Sequence, residues 1–118
     1  MTGVSINGIV LVADDFEAQL GFYRDTIGLE LVSHWGDAAL LRSANGVTLA
    51  LFATTHDPRS MERIAPLRHG LSHLEFGATS AVQAELGAAL DAAGYGDEPG
   101  NYLDPDGQLF HFVHEPDA

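Results

Sequence analysis

The sequence contains no cysteine and no lysine, and five arginines are its only side chains with a permanent positive charge. Because cysteine is absent, disulfides and thiolate metal sites are excluded. No apolar run approaches the roughly 20 residues that a membrane span needs, and the N-terminus lacks the pattern of a signal peptide. These absences predict a cytoplasmic protein with no membrane partner.

Acidic side chains are abundant, and 17 aspartates and glutamates give the chain a formal net charge of −12. Such a field repels phosphate backbones, so nucleic acid is not an expected partner. It could attract a cationic ligand, or it could serve only to keep the protein soluble. With 118 residues, 46% of them apolar, the chain is expected to form a single domain over residues 1–118.

The most distinct element of the first half is a predicted helix over residues 15–27. Asp14 is the expected N-cap, and Glu17, three residues later, completes a capping box. Gly28 is expected to end the helix, because glycine readily adopts the left-handed conformation. The apolar stripe of this helix recurs every three to four residues and consists of Phe16, Leu20, Tyr23 and Ile27.

Apolar runs of strand length surround this helix. They predict strands over residues 6–13, 29–34, 38–42 and 47–53. Between the last two runs, Asn45-Gly46 predicts a two-residue type I′ turn, which requires positive φ at both positions. On the last strand, alternation directs Phe52 to one face and directs Leu49 and Leu51 to the face that packs on the helix.

The second half repeats this order of elements. A strand over residues 71–77 precedes a second helix, which Ser80 caps and Gly94 ends. Equivalent positions lie 65 to 66 residues apart, from Asp15 to Ser80 and from Gly28 to Gly94. This constant offset indicates an internal duplication.

Residues 54–69 form a polar connection between the two repeats, which span residues 6–53 and 70–115. The connection contains two prolines and three of the five arginines. It predicts a linker or flap, although it could hold a short helix. After the second helix, short strands are expected around Tyr95 and Tyr102.

The last predicted strand follows a tight turn, Asp104-Pro105-Asp106-Gly107, in which proline and glycine set the backbone geometry. Side chains then alternate, so that His111 shares a face with Leu109 and Val113. Phe110 points to the opposite face and is expected in the core. A histidine on an otherwise apolar strand is a candidate for contact with a ligand.

The duplicated βαβββ order resembles the vicinal oxygen chelate superfamily, which includes glyoxalase I, the extradiol dioxygenases, and the bleomycin and fosfomycin resistance proteins. It implies an α+β fold in which two tandem βαβββ units form a cup-shaped mixed sheet with helices on the outer face. It also implies a homodimer, with residues 54–69 as the place where chains would exchange units. The matching residues are Asp15, Phe22-Tyr23-Arg24-Asp25 and Gly28-Leu29, then His73-Leu74-Glu75-Phe76, Ala92-Ala93-Gly94 and Asp104-Pro105-Asp106-Gly107.

Enzymes of this superfamily usually bind one divalent metal ion through residues on the first and last strands of each unit. In this chain, those positions fall on Gly8, Ala50, His73 and His111, and only the two histidines carry a ligating atom. Glu75 lies two residues after His73 on the same face of its strand, so it is a candidate third ligand. The resemblance therefore implies no cofactor as the first expectation and one divalent metal ion as the alternative.

The leading interpretation is a non-catalytic protein that binds and sequesters a small molecule, as the bleomycin resistance proteins do. The ligand would be an antibiotic or another natural product, aromatic or cationic in character. The alternative is a metal-dependent lyase, isomerase or dioxygenase whose metal ion His73 and His111 hold. A third interpretation, a structural role in binding a partner, has the least support, because no exposed apolar run is evident.

The candidate ligand-binding residues combine apolar walls with a few polar groups, which is the composition of small-molecule pockets. They are Val10, Trp35, Phe52, His73, Glu75, Tyr102, Leu109 and His111. His34, His56 and His69 lie in less regular stretches, where no pattern supports a ligand role.

Overall fold

The computed structural model describes residue 3 and residues 6–56, 58–66 and 70–116. The chain forms two compact units, Met1–Pro66 and Leu67–Ala118, here termed unit one and unit two. Both combine helices with β-strands, so the predicted α+β fold class is confirmed. Within the described ranges, no helix is both long enough and apolar enough to cross a lipid bilayer.

Unit one is built on a four-stranded mixed sheet. Its strands are β1 (Gly8–Ala13), β2 (Glu30–Trp35), β3 (Ala38–Arg42) and β4 (Thr48–Ala53). Their order across the sheet is β1-β4-β3-β2, with β1 and β4 parallel and the other neighbours antiparallel. The four predicted strands are therefore present, with small shifts of their ends.

The predicted helix of unit one has two parts. Its first part, α1 (Phe16–Gly21), is α-helical, and Phe22–Ile27 continues as a π-helix, in which each hydrogen bond spans five residues. Phe22 and Tyr23, neighbours in sequence, are both buried there. Apolar spacing did not distinguish the two helix types, because both keep a stripe of large side chains on the inner face.

The ends of this helix are determined by an aspartate and a glycine. The N-cap is Asp15, whose Oδ1 accepts a hydrogen bond from the backbone N–H of Ala18 at 3.1 Å. The prediction of Asp14 was wrong by one residue, because the residue that adopts the extended backbone conformation is Asp15. Gly28 ends the helix with φ of 92°, as predicted.

The turn between β3 and β4 differs from the predicted one. The N–H of Gly46 donates to the carbonyl of Ser43 at 3.0 Å, and the N–H of Ser43 donates to the carbonyl of Val47 at 2.9 Å. Gly46 has φ of 90°, whereas Asn45 does not adopt positive φ. The prediction of a type I′ turn was therefore wrong, and Asn45 acts through its side chain, whose Oδ1 accepts a hydrogen bond from the N–H of Val47.

The two faces of the unit-one sheet have different surroundings. Leu41, Leu49 and Leu51 are buried on one face, where α1 packs against β4. The burial of Leu49 and Leu51 agrees with their predicted packing on the helix. Phe52 lies on the opposite face and is half-buried, and Val10 on the same face is exposed.

The connection over residues 54–69 contains a short helix, α2 (Pro58–Ile64). None of the residues of α2 is buried, so little apolar packing holds it in place. Residues 57 and 67–69 of the connection lie outside the described part of the chain. The role of this segment as a linker or flap stays a prediction.

Unit two is built on a three-stranded sheet. Its elements are β5 (Leu74–Ala78), α3 (Ser80–Ala92), β6 (Asn101–Leu103) and β7 (Leu109–His114), and the sheet order is β5-β7-β6. β5 and β7 are parallel, as β1 and β4 are in unit one, which agrees with the duplication. The strand expected around Tyr95 is reduced to one bridge between Gly96 and Tyr102, so this sheet has one strand fewer than the sheet of unit one.

Helix α3 begins one residue earlier than predicted and contacts β6 at Gly87 and Tyr102. Its N-cap is Thr79 and not Ser80, because the hydroxyl of Thr79 accepts a hydrogen bond from the N–H of Val82 at 3.3 Å. A Cβ on Gly87 would lie only 2.7 Å from the hydroxyl oxygen of Tyr102. The glycine therefore allows the helix to approach β6.

Candidate functional site

The turn before β7 fixes the pairing of β6 with β7. Oδ1 of the buried Asp104 accepts hydrogen bonds from the backbone N–H groups of Asp106 and Gln108, both at 2.9 Å. This turn pairs Leu103 with Leu109 on the antiparallel neighbours β6 and β7. The turn is therefore structural, because its aspartate side chain is used to hold the backbone of the turn.

Three polar side chains converge on the face of unit two that His111 occupies. Glu75 on β5 is the cross-strand partner of His111 on β7, and His73 lies one residue before β5. Oε2 of Glu75 lies 2.9 Å from Nε2 of His111 and 3.2 Å from Nε2 of His73. The two imidazole rings are 4.7 Å apart between centroids. We refer to His73, Glu75 and His111 as the histidine–glutamate cluster.

The cluster is partly open to solvent, with side-chain exposures of 31% for His73, 53% for Glu75 and 28% for His111. The pKa of the Glu75 carboxyl lies below its ordinary value, because it accepts hydrogen bonds from His73 and, to a smaller extent, from His111. Glu75 is therefore ionised at neutral pH. The other ring nitrogen of His73, Nδ1, lies 3.1 Å from the hydroxyl of Ser72, which helps to orient the ring.

The donor atoms of the cluster lie close enough together to contact one divalent metal ion. One ligand atom from each of the three residues lies within 4.8 Å of the others. Bonds of about 2.0–2.2 Å from a metal ion to nitrogen and oxygen place neighbouring ligand atoms about 3 Å apart. The two Glu75 contacts have this separation. The residues present therefore fit a metal ion with three protein ligands.

Asn101 was not identified from the sequence, yet it is the second cross-strand neighbour of His111. Glu75, His111 and Asn101 form one row across β5, β7 and β6, with their side chains on the same face. The turn at residues 104–107 could have predicted this pairing from the sequence, because it connects β6 directly to β7. Counting outward from it on both strands places Asn101 opposite His111.

The other predicted ligand-binding residues have different surroundings. Val10, Trp35 and Phe52 lie in unit one, where Val10 is 56% and Trp35 is 48% exposed. Leu109 shares the face of His111 and is half-buried. Tyr102 lies on the opposite face of its sheet, where it is buried with its ring 5.6 Å from Phe110. Alternation along β6 thus removes Tyr102 from the face of the cluster.

The two superfamily positions without ligating atoms lie on β1 and β4. Ala50 is buried almost completely on β4. Gly8 pairs with Thr48, and the hydroxyl oxygen of Thr48 occupies the space that a Cβ on Gly8 would need. That hydroxyl donates to the carbonyl of Asn7 at 3.2 Å. Thr48 therefore takes up the space that the missing side chain of Gly8 would otherwise leave.

The remaining candidate histidines have local partners or lie outside the described residues. His34 packs against Phe16, with 5.6 Å between ring centroids. The ring of His56 contacts that of Phe52 at a tilt of 46°, with 4.5 Å between centroids, and its Nδ1 lies 2.8 Å from Oδ1 of Asp37. His69 lies outside the described part of the chain. In the described ranges, none of these histidines joins a group of three metal-ligating side chains.

The hydrogen bond between Asp37 and His56 predicts a pH-dependent contribution to stability. The hydrogen bond from His56 is the main reason why the pKa of the Asp37 carboxyl lies below its ordinary value. The contribution is therefore present above about pH 4 and is lost as the pH falls through the lowered value. We expect Asp37→Asn to reduce the melting temperature slightly at pH 7, with Glu62→Gln as a charge-matched control. A difference in melting temperature between Asp37→Asn and the wild type that is as large at pH 2.5 as at pH 7 would contradict this explanation.

A family model described as the Glyoxalase/Bleomycin resistance protein/Dioxygenase superfamily matches residues 5–117. No curated protein matches the sequence. Among solved structures, the chain is similar to a lactoylglutathione lyase from Agrobacterium tumefaciens, with 26% identity and a TM-score of 0.69 over 93% of this chain and 92% of the lyase.

Two further solved structures have the same fold at lower identity. A glyoxalase/dioxygenase from Nostoc punctiforme has 17% identity and a TM-score of 0.68, covering 96% of this chain and 92% of that protein. A glyoxalase/bleomycin resistance protein/dioxygenase from Nocardioides has 22% identity and a TM-score of 0.64, covering 97% of this chain and 85% of that protein. The family match spans almost the whole chain and agrees with the duplicated fold, so this protein belongs to the Glyoxalase/Bleomycin resistance protein/Dioxygenase superfamily.

Proposed function

We propose that this protein binds a small oxygen-bearing molecule at the histidine–glutamate cluster, through one divalent metal ion that His73, Glu75 and His111 hold. The observation that carries the proposal is the convergence of one donor atom from each of the three residues within 4.8 Å. Two imidazoles and one carboxylate form a ligand set that suits zinc, iron(II), nickel and manganese. When bound, such an ion supplies a Lewis acid that polarises an oxygen of the ligand.

The protein's own residues have separate roles in this proposal. Glu75 provides the negative charge that offsets part of the charge of the ion. The imidazoles provide neutral nitrogen donors, and Ser72 helps to hold the ring of His73. Three protein ligands leave coordination positions for the small molecule, and the partial exposure of all three side chains gives it access. Leu109, on the same face, contributes an apolar wall beside the polar groups.

A second candidate function is metal-free binding and sequestration of a natural product such as an antibiotic. It is favoured by the superfamily positions Gly8 and Ala50, which carry no ligating atom. It also agrees with the exposed apolar side chains of Val10 and Trp35. In this reading, the cluster would serve as a hydrogen-bonding anchor, because neutral imidazole and carboxylate can both recognise polar groups.

The metal content of the protein distinguishes these two functions. We expect protein purified without an affinity tag or chelator to contain about one divalent ion per chain. After removal of the ion, zinc or manganese at about one hundred times its dissociation constant should restore about 2.7 kcal/mol of stability. Elemental analysis and thermal unfolding measure both quantities. Protein that contains no metal and gains no stability from any of these ions would support sequestration instead.

A further inference from the structure

The side chain of Glu115 lies beside the histidine–glutamate cluster. It occupies the space next to β5 where any residue other than Gly77 would place its own side chain. A Cβ on Gly77 would lie 2.5 Å from Cδ and 2.6 Å from Oε2 of Glu115. The backbone N–H of Glu115 donates to the carbonyl of Ala78 at 2.9 Å, which anchors the residue next to β5. The glycine therefore allows the carboxylate to lie across the strand.

The carboxylate of Glu115 shares the face of the cluster. Gly77 follows Glu75 by two residues on β5, and Glu115 follows His111 by four along β7 and its extension. Residues two apart on a strand point to the same face and are separated by about 6.6 Å. Two carboxylates thus lie on one face, one inside the cluster and one about 7 Å along the strand.

No lysine or arginine offsets these charges within the described part of unit two. Residues 70–116 contain eight acidic residues and neither lysine nor arginine. In the part of the chain that the structure describes, Glu115 forms no ion pair, whereas Glu75 contacts both histidines of the cluster. Recognition of a carboxylate or phosphate on a ligand normally requires arginine or lysine. Away from the proposed ion, the surroundings of the cluster therefore oppose a negatively charged group on the ligand and favour a positively charged one.

Resting on the proposed function, we propose that Glu115 selects small molecules that carry an ammonium group about 7 Å from the oxygen that meets the cluster. The ammonium group donates to the carboxylate of Glu115, and Gly77 leaves the space that this carboxylate occupies. Molecules with a carboxylate or phosphate at the same distance are rejected by the like charge. A neutral molecule of the same length binds with intermediate affinity.

Three hydroxamates of equal chain length test this proposal, because all present the same oxygen donors and differ mainly in the charge of the far end. They are 4-aminobutanohydroxamate, pentanohydroxamate and N-hydroxysuccinamate. Their dissociation constants are measured by calorimetry with zinc-loaded protein at low ionic strength. We expect the amine to bind about three- to fivefold more tightly than the neutral compound, as for a partly exposed ion pair, and the acid to bind more weakly.

Two substitutions at the carboxylate and one matched control complete the test. Glu115→Gln should reduce the affinity for the amine to that for the neutral compound, and Gly77→Ala should have the same effect by displacing Glu115. Glu85→Gln makes the same change of net charge on an exposed position of α3 and should leave the preference intact.

The outcomes separate this inference from the proposed function. Equal affinity for the amine and the neutral compound would overturn the role of Glu115, while the binding of both would leave the metal-assisted function standing. An equal loss in Glu85→Gln would also overturn it, because the preference would then follow from net charge alone. Zinc-loaded protein that binds none of the three compounds, or protein that binds no zinc, would reject the proposed function and this inference together.

Discussion

Replacing His73 and His111 together by alanine should abolish the binding of a divalent ion, reducing the metal content from about one equivalent per chain to nearly none. The two Nε2 atoms contact the same oxygen of Glu75, so their removal leaves a single exposed carboxylate. One carboxylate on the surface does not retain a metal ion against water. The effect is therefore expected to be larger than that of any substitution outside the cluster.

Each single substitution in the cluster should weaken metal binding without abolishing it. Loss of a residue that merely orients a metal ligand typically weakens binding by about 10- to 100-fold, so loss of a ligand itself should exceed about 100-fold. We expect this for His73→Ala, His111→Ala and Glu75→Gln, measured by competition with a chromophoric chelator. His114→Ala is the matched control, because His114 lies on β7 but on the opposite face, near the hydroxyl of Ser80. If the double variant still contained one equivalent of metal, the ion would have to bind elsewhere in the chain.

The second large effect concerns stability. We expect Phe110→Ala to lower the free energy of unfolding by about 3–5 kcal/mol, because it removes a large aromatic side chain from the core. Phe110 is completely buried, and its ring centroid lies 5.6 Å from those of Phe76 and Tyr102 and 6.1 Å from that of Phe112. Single domains are stable by only about 5–15 kcal/mol, so this loss is a large part of the total.

Urea unfolding at equilibrium measures this loss, provided that the slope of the transition stays the same. Val113→Ala is the control on the same strand, since Val113 is 40% exposed and its truncation should change the unfolding free energy by less than about 1 kcal/mol. A similarly small effect of Phe110→Ala would mean that the aromatic core of unit two contributes little to folding.

The sequence alone was sufficient to predict most elements of the fold, because strong local signals coincide there. Gly28 and Gly94 end their helices in the left-handed region, with φ of 92° and 86°. The constant offset between the two halves predicted the shared topology, and parallel pairing of β1 with β4 and of β5 with β7 agrees with it. These signals depend on backbone geometry and burial, which each residue type expresses locally.

The errors occurred where neighbouring residues offer equivalent chemistry. Asp14 and Asp15, like Thr79 and Ser80, can both cap a helix, and the backbone conformation decides between them. Asn45 can serve a turn through positive φ or through its side chain, and the hydrogen bond to Val47 shows the second. Only the full set of hydrogen bonds distinguishes such alternatives.

The composition and spacing of the chain determined by themselves that no thiolate site exists and that the chain is duplicated, and the resemblance to the superfamily added the α+β fold and made His73 and His111 candidates for one site. The tertiary structure decided that Glu75 joins them, because the parallel register of β5 and β7 places it opposite His111. It also decided that Thr48 fills the space beside Gly8 and that Glu115 lies over Gly77. Such contacts join residues that are distant in sequence, and the register of parallel strands, which no tight turn connects, brings them together.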